Sequence, residues 1–236
     1  YLSGLKQPSL LKQACYDTLF MPRIKRYWKT HHDTPIPSFD TVDWASSSKA
    51  IKRLPPGLKR WRWKFSTGCI GVASQLYYRR YQDHSNCPLC NATHEKVSHV
   101  LHCPDTKAVS FSKQRIQHHI PSTLEAQDTE PALSEAIQAI LHLWRQNLPI
   151  RSTDYPISIR DIIREQSLLG WDNFVLGRWC PSWRKHQDEY YSSIGSLRTS
   201  LRWATAVIHK LLLTAWDLWD YRNGRLHGYA GPRELA

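Results

Sequence analysis

The sequence predicts a mainly α-helical protein, and three observations carry that expectation. Apolar residues recur at helical spacing through several long segments. Sustained period-two alternation is absent, and turn signals do not recur at hairpin spacing. Between the helical segments stands Cys87-Pro88-Leu89-Cys90, followed by His99-Val100-Leu101-His102-Cys103, a C-x2-C-x8-H-x3-C pattern with metal-ligand spacing. Together these predict a helical domain with an embedded CCHC zinc knuckle. At 236 residues the chain can bury a real core, as one large domain or two small ones. The expected division is a basic helical region over residues 1–104, ending in the knuckle, and a helical C-terminal region over residues 105–236 that packs on it.

Taken in order, Leu10, Leu11, Cys15, Leu19, Ile24 and Trp28 keep helical spacing from Pro8 to Trp28, with Pro22 kinking or splitting the helix. His31 to Ser38 reads as a proline-containing loop. Asp40 or Thr41 starts a helix through Trp44 to Lys52, which Pro55-Pro56-Gly57 breaks. Leu58 to Tyr81 reads as a long basic helix with a point of interruption at Thr67-Gly68. After the knuckle, Asp105 caps a helix through Ile120 that Pro121-Ser122 ends. Thr129-Glu130-Pro131 starts the next helix, whose apolar face is Leu133, Ile137, Ile140, Leu141 and Trp144. Pro149 to Pro156 is a linker. Ser158-x-x-Asp161 has the form of a capping box for a helix to Leu168, with Gly170 as its stop. Trp171 to Trp183 is aromatic and turn-rich. The longest clean period runs from Ser196 to about Arg225, through Leu197, Leu201, Ala204, Ile208, Leu211, Leu212, Ala215 and Trp219, and Gly228 and Pro232 stop it.

The knuckle can be built residue by residue. A Cys-x-x-Cys turn aims both sulfurs at one point, and Pro88 pre-sets one backbone angle of it. Amides just after Cys87 can donate to its thiolate. Asn91 tolerates the left-handed conformation that such a turn often needs at its exit. Ser98 can cap a short helix beginning near His99, which would place His99 and Cys103 on one face, bounded by Pro104. His94 and His102 are the competing imidazoles. His102 would point about 100° away from Cys103 around the helix, and His94 would leave a cramped loop after Cys90. The ligand set read here is therefore Cys87, Cys90, His99 and Cys103. Three sulfurs and one imidazole suit one tetrahedral Zn2+ and leave no position for water or substrate, so the ion is read as structural.

The net charge is +12, and its placement is uneven. The first hundred residues carry sixteen Lys and Arg against six acids, and the rest carry sixteen against fourteen. Residues 49–82 hold Lys49, Lys52, Arg53, Lys59, Arg60, Arg62, Lys64, Arg79 and Arg80 with no acid at all. Such a stretch repels itself unless a polyanion is near. Flat rings interleave with the cations in Lys59-Arg60-Trp61-Arg62-Trp63-Lys64-Phe65 and in Tyr77-Tyr78-Arg79-Arg80-Tyr81. Lys52, Arg53, Lys59, Arg60, Arg62, Lys64, Arg79 and Arg80 are thus expected to contact the phosphates of RNA or DNA. Trp61, Trp63 and Tyr78 can stack on unpaired bases, but for the tryptophans burial in the core is the expectation.

Other function classes find little in the sequence. The best carboxylate pair for two-metal chemistry, Asp217 and Asp220, is followed by Arg222 and Arg225 and reads as a solvated helix face. His31-His32-Asp33 and His118-His119 lack a recognisable nucleophile or ligand partner, and Gly-rich phosphate loops are absent. No apolar run is long enough to span a bilayer and no secretory leader is evident. Cysteines 15, 69 and 180 remain after the metal takes three, an odd number that points to a reducing compartment, nuclear or cytoplasmic and not secreted. The chain starts at Tyr1 and is read as a fragment or processed piece.

The motifs also carry a family resemblance. Lys64-Phe65-Ser66-Thr67-Gly68, then Cys87-Pro-Leu-Cys90, Glu95 and His99-Val-Leu-His-Cys103, resembles the zinc-binding region of non-LTR retroelement reverse transcriptase-like polyproteins. Gln166-x-x-x-Gly170-Trp171, Gly177-Arg178 and Trp219-Asp-x-Arg222-Asn223-x-x-Leu226-His227-Gly228 look like the C-terminal tails of such polyproteins. The resemblance covers roughly residues 40–228. It implies nucleic-acid binding during retroelement replication, with the polymerase upstream of this chain and available as a partner. A Tyr-x-Asp-Asp signature and a four-carboxylate RNase H set are absent, so the chain by itself is not expected to be an enzyme. The alternative expectation is a zinc-stapled module that docks on another protein without touching nucleic acid.

Overall fold

The computed structural model describes residues 8–30, 36 and 38–228, and among them there are twelve α-helices and no strand. Their order is α1 (Pro8–Leu19), α2 (Met21–Thr30), α3 (Trp44–Arg53), α4 (Pro56–Ser66), α5 (Ala73–Tyr78), α6 (Val97–His102), α7 (Thr106–Ala126), α8 (Pro131–Arg145), α9 (Ile157–Leu169), α10 (Trp171–Val175), α11 (Ser182–Ser193) and α12 (Ser200–His227). Short 3-10 turns lie at Phe39–Thr41 and Ser152–Asp154. The mainly helical expectation holds. None of these helices is long and apolar enough to cross a membrane. The sequence's His31, His32 and Asp33, most of its first loop, and Pro232 lie outside the described residues.

The hub is α12, whose 28 residues span about 42 Å at 1.5 Å per residue. Thr199 caps its start by accepting from the Arg202 amide, and Gly228 ends it in the left-handed conformation. Helices α3, α4, α6, α7, α10 and α11 all pack on it. Apolar residues therefore face inward around most of the helix, from Trp203 through Ile208 and Leu211 to Trp219. One cluster of buried residues runs from Ile36 to Trp219, drawing on both sides of residue 104.

Several element ends differ from the sequence reading, each for a physical reason. Pro121 does not end α7, which continues to Ala126 and so buries Leu124 beside Ile120. The proline forfeits a bond to the Gln117 carbonyl, and Gln117 is exposed, so water can serve that oxygen. Leu58 to Tyr81 is two helices, because Gly68 (φ 64°) closes α4 with Gly68 N–H to Phe65 O at 3.4 Å and Cys69 N–H to Lys64 O at 2.9 Å. Pro22 falls in the first turn of α2, where its missing N–H costs nothing. Ser158 does not cap α9, which starts at Ile157 behind Pro156, and Asp161 instead pairs with Arg164 at 2.7 Å on the surface. Asp105 and Glu130 do cap α7 and α8, accepting from Ala108 N–H at 2.8 Å and Leu133 N–H at 2.6 Å.

The aromatic segment forms the densest part of the core. Phe174 and Trp179 stack at 4.7 Å, and Trp183 and Trp203 pack against Trp179. Buried Gln166 organises the turn around them. Its Oε1 accepts from Cys180 N–H at 3.0 Å and Trp183 Nε1–H at 3.2 Å, while its Nε2 donates to the Gly170 and Arg178 carbonyls. Gly177 (φ 75°) passes so close to α12 that an added Cβ would sit 2.5 Å from Ile208 Cγ2. Gly177→Ala should therefore destabilise the fold by about 2 kcal/mol or more, through overpacking and left-handed strain together. The midpoint of urea unfolding followed by tryptophan fluorescence checks this.

Candidate metal centre and nucleic-acid interface

The four residues read as ligands come together. One donor atom from each of Cys87, Cys90, His99 and Cys103 lies within 4.8 Å of the other three. Cys87 Sγ and Cys103 Sγ are 3.8 Å apart, and Cys90 Sγ is 3.3 Å from His99 Nε2. A tetrahedral ion bonded to sulfur at about 2.3 Å sets sulfurs about 3.8 Å from each other. The Cys87–Cys103 separation matches that spacing, and the cluster could hold one metal ion. Cys87 and Cys103 are buried, and Cys90 and His99 are half-buried, so protein encloses the site on most sides.

Local structure aims these donors as the spacing predicts. Asn91 leaves the Cys87–Cys90 turn with φ 58°, and its amide bonds Cys87 O at 3.0 Å. The Leu89 amide donates to Cys87 Sγ at 3.4 Å. Helix α6 starts two residues before His99 because buried Val97 is drawn into it, and Ser98 does not cap it. His102 turns away as expected. Its Nε2 is 2.6 Å from Asp172 Oδ1, which also accepts from Trp144 Nε1–H at 2.7 Å. His94 is exposed. The Cys103 thiol pulls Cys87 down to about 3, foremost by hydrogen bonding to its thiolate. Cys103 is correspondingly pushed up by Cys87, Cys90 is raised by burial, and His99 is raised by hydrogen bonding to Cys87. One sulfur held as a thiolate is the state from which cation capture begins.

The loop that carries the donors is tied to α12 by an interaction the sequence reading missed. Glu95 is fully buried, and Arg222 grips its carboxylate in bidentate fashion, Nε to Oε1 at 3.0 Å and Nη2 to Oε2 at 2.5 Å. The Ala73 amide donates to the same Oε2 at 2.7 Å. Glu95 N–H bonds Ser85 O, and Ser74 N–H bonds Glu95 O. The two partners stand 127 residues apart in the chain, and both appear among the residues that carry the family resemblance. The end of α12 is therefore not a solvated face. Asp217 is buried and held by Arg115 at 2.5 Å and His119 at 2.9 Å, and Asp220 is buried as well.

Of the eight cations assigned to nucleic acid, seven are exposed: Lys52 and Arg53 on α3, Lys59, Arg60 and Lys64 on α4, and Arg79 and Arg80 after α5. Arg62 is the correction. It is buried, its Nη2 donates to Leu176 O at 2.8 Å, and burial pushes its guanidinium down to about 10. It faces inward because it shares the apolar stripe of α4 with Leu58, Trp61 and Phe65. The opposite stripe, Lys59, Arg60, Trp63 and Lys64, points to solvent. Trp61 is core as expected, but Trp63 is 70% exposed and Tyr78 is 84% exposed. Tyr77 and Tyr81 are exposed too. Lys96, absent from the sequence-based set, is exposed on the metal loop.

Removing Glu95 leaves the Arg222 guanidinium buried without its counter-charge, so Glu95→Ala should cost about 3–5 kcal/mol. A Glu95→Met/Arg222→Met double variant should recover much of that loss, because no uncompensated charge remains. Chemical denaturation of both, with amide exchange of residues 73–97, separates the pair's contribution from simple packing. Comparison of the chain with protein-family models, with curated proteins and with solved structures gives no match.

Proposed function

We propose that this chain is a zinc-stapled accessory region that binds RNA or DNA, with one structural Zn2+ on Cys87, Cys90, His99 and Cys103. Zinc suits three thiolates and an imidazole in a closed tetrahedron. Four protein donors leave the ion no open position, so we assign it no reaction. Thiolate ligands need a reducing environment, which the nucleus or cytoplasm supplies. The motif resemblance adds the setting: a C-terminal piece of a retroelement polyprotein, acting beside a polymerase encoded upstream.

The observation that carries the reading is the exposed stripe of α4, where Lys59, Arg60 and Lys64 surround the outward ring of Trp63 within a stretch that holds no acid. Cations on such a stripe neutralise phosphates and release counterions, and an exposed indole stacks on bases. Arg80 supports it from the backbone. Helix α5 ends in the same turn as α4, with Arg80 N–H to Tyr77 O at 2.9 Å and Tyr81 N–H to Leu76 O at 2.9 Å. The left-handed position is glycine in the first turn (Gly68) and arginine in the second (φ 60°). Arginine thus stands where glycine would be less strained, and its side chain adds an exposed cation beside Arg79. A second reading rests on α9, where Ile157 and Leu168 are exposed on one face and favour docking on another protein.

Purified protein should carry one zinc per chain by elemental analysis, and Cys103→Ser should lose it. Binding to labelled RNA or DNA should weaken with salt, with a log–log slope of about −3 to −4 if four phosphates are neutralised. Charge reversal at Lys59, Arg60 and Lys64 together should flatten that slope; unchanged affinity in the titration rejects the reading. Arg80→Gly should stabilise the fold by about 1 kcal/mol yet weaken binding, opposite signs that thermal melting and the same titration would read side by side. Capture of a protein partner that survives high salt and nuclease would favour the docking alternative.

A further inference from the structure

At the junction of α4, α5 and the metal loop lies a recess of about 310 Å3. Gly68 forms part of its rim on the α4 side. Ser74, Gln75 and Tyr78 line it from α5, and His94 and Lys96 from the metal loop. Resting on the nucleic-acid reading above, we infer that this recess receives one unpaired nucleobase, so that the surface prefers single strands to duplex.

Four features of the recess converge on that ligand. Its volume is at the small end of ligand pockets, sized for one ring system rather than an extended molecule. Tyr78 presents a ring at its edge that is 84% exposed and has no ring partner among the described residues, an arrangement suited to stacking on a base. The amide of Gln75, the hydroxyl of Ser74 and the imidazole of His94 form no side-chain hydrogen bond among the described residues. Together they offer donors and acceptors to a base edge. Lys96 and the nearby Arg79 and Arg80 are exposed cations for the flanking phosphates, and no acid lines the recess. Paired bases keep their faces inside the stack and cannot enter, so a duplex would meet only the cations.

The recess also lies along the path of the α4 stripe. Lys64 is in the last turn of α4, and Thr67-Gly68 follows directly into the recess wall. Its two sides are joined through Glu95, which binds the Ala73 amide through its carboxylate and the Ser74 amide through its carbonyl. The shape of the recess therefore depends on the metal loop being folded, whereas the α4 stripe belongs to a helix packed on α12.

The test uses the whole chain and labelled oligonucleotides of one sequence, single-stranded and duplex, read by fluorescence anisotropy. The single strand should bind tighter by about tenfold or more, the base in the recess contributing about tenfold of that. Tyr78→Ala should lower single-strand affinity about tenfold and leave duplex affinity unchanged, and Tyr78→Phe should restore it. Stripping the metal should likewise weaken single-strand binding before it weakens duplex binding. Equal affinity for the two forms, or a Tyr78→Ala loss that is the same for both, overturns the inference while leaving the nucleic-acid reading intact. Binding to neither form overturns both.

Discussion

The interaction on which the rest depends is the buried pair between Glu95 and Arg222. It joins the last turns of α12, the hub helix, to the loop that carries the metal donors. A buried ion pair contributes little net stability compared with apolar residues of the same volume, because desolvation offsets attraction. Its consequence here is positional. The carboxylate has three fixed donors, two from Arg222 and one from the Ala73 amide, and these set one orientation of the loop relative to α5 and α12. The guanidinium is further held by Asn223 Oδ1 at 3.1 Å and lies over the Trp219 ring. Since the same glutamate bonds Ser85 and Ser74 through its main chain, the pair fixes both the metal turn and the wall of the recess.

The four candidate metal donors lie in the part of the chain with the least packing of its own. Between Ser66 and Thr106 the only helices are α5 and α6, six residues each, too short to be stable by themselves. The buried apolar side chains of this segment are few, chiefly Ile70, Val72, Val97, Val100 and Leu101. Arg145 adds one clamp from α8, donating to Cys103 O at 2.8 Å. By contrast, residues 131–219 hold a dense aromatic and aliphatic core that needs no such staple. The four donors sit where packing is thinnest, and there a bound ion has the most ordering to supply.

Much of this was legible in the sequence, and what was not has a common cause. Helical periodicity found the long elements, and the ligand spacing found all four donors and even the left-handed exit at Asn91. Both signals are local. Pro121 inside α7 was missed because the chain rule for proline was outweighed by the burial of Leu124 on the far side of it. Arg62 was misread because a cation's side of a helix shows only in its spacing from Leu58, Trp61 and Phe65. The pairs Glu95–Arg222 and Asp217–His119 link residues about a hundred positions apart, and no periodicity reports that. Trp63 shows the reverse error, since ring type argued for the core while its place on the cationic stripe put it in water.

Many of the residues behind the motif resemblance have tasks inside the protein once they are placed. Gln166, Gly170, Gly177, Arg178, Glu95 and Arg222 each have a packing or hydrogen-bonding task inside the protein. Arg178 lies 4.5 Å over the Trp28 ring and donates to Asn173 Oδ1 at 2.6 Å. Apart from half-buried Gly170 they are all buried, so they describe how the scaffold is built. The residues free to act are others: Lys59, Arg60, Trp63, Lys64, Tyr78, Arg79, Arg80 and Lys96, all on the surface. No acid among residues 49–82 neutralises that surface, and in Arg80 it accepts backbone strain. Both features lie on the face where helix α4 runs into the loop of the four candidate metal donors.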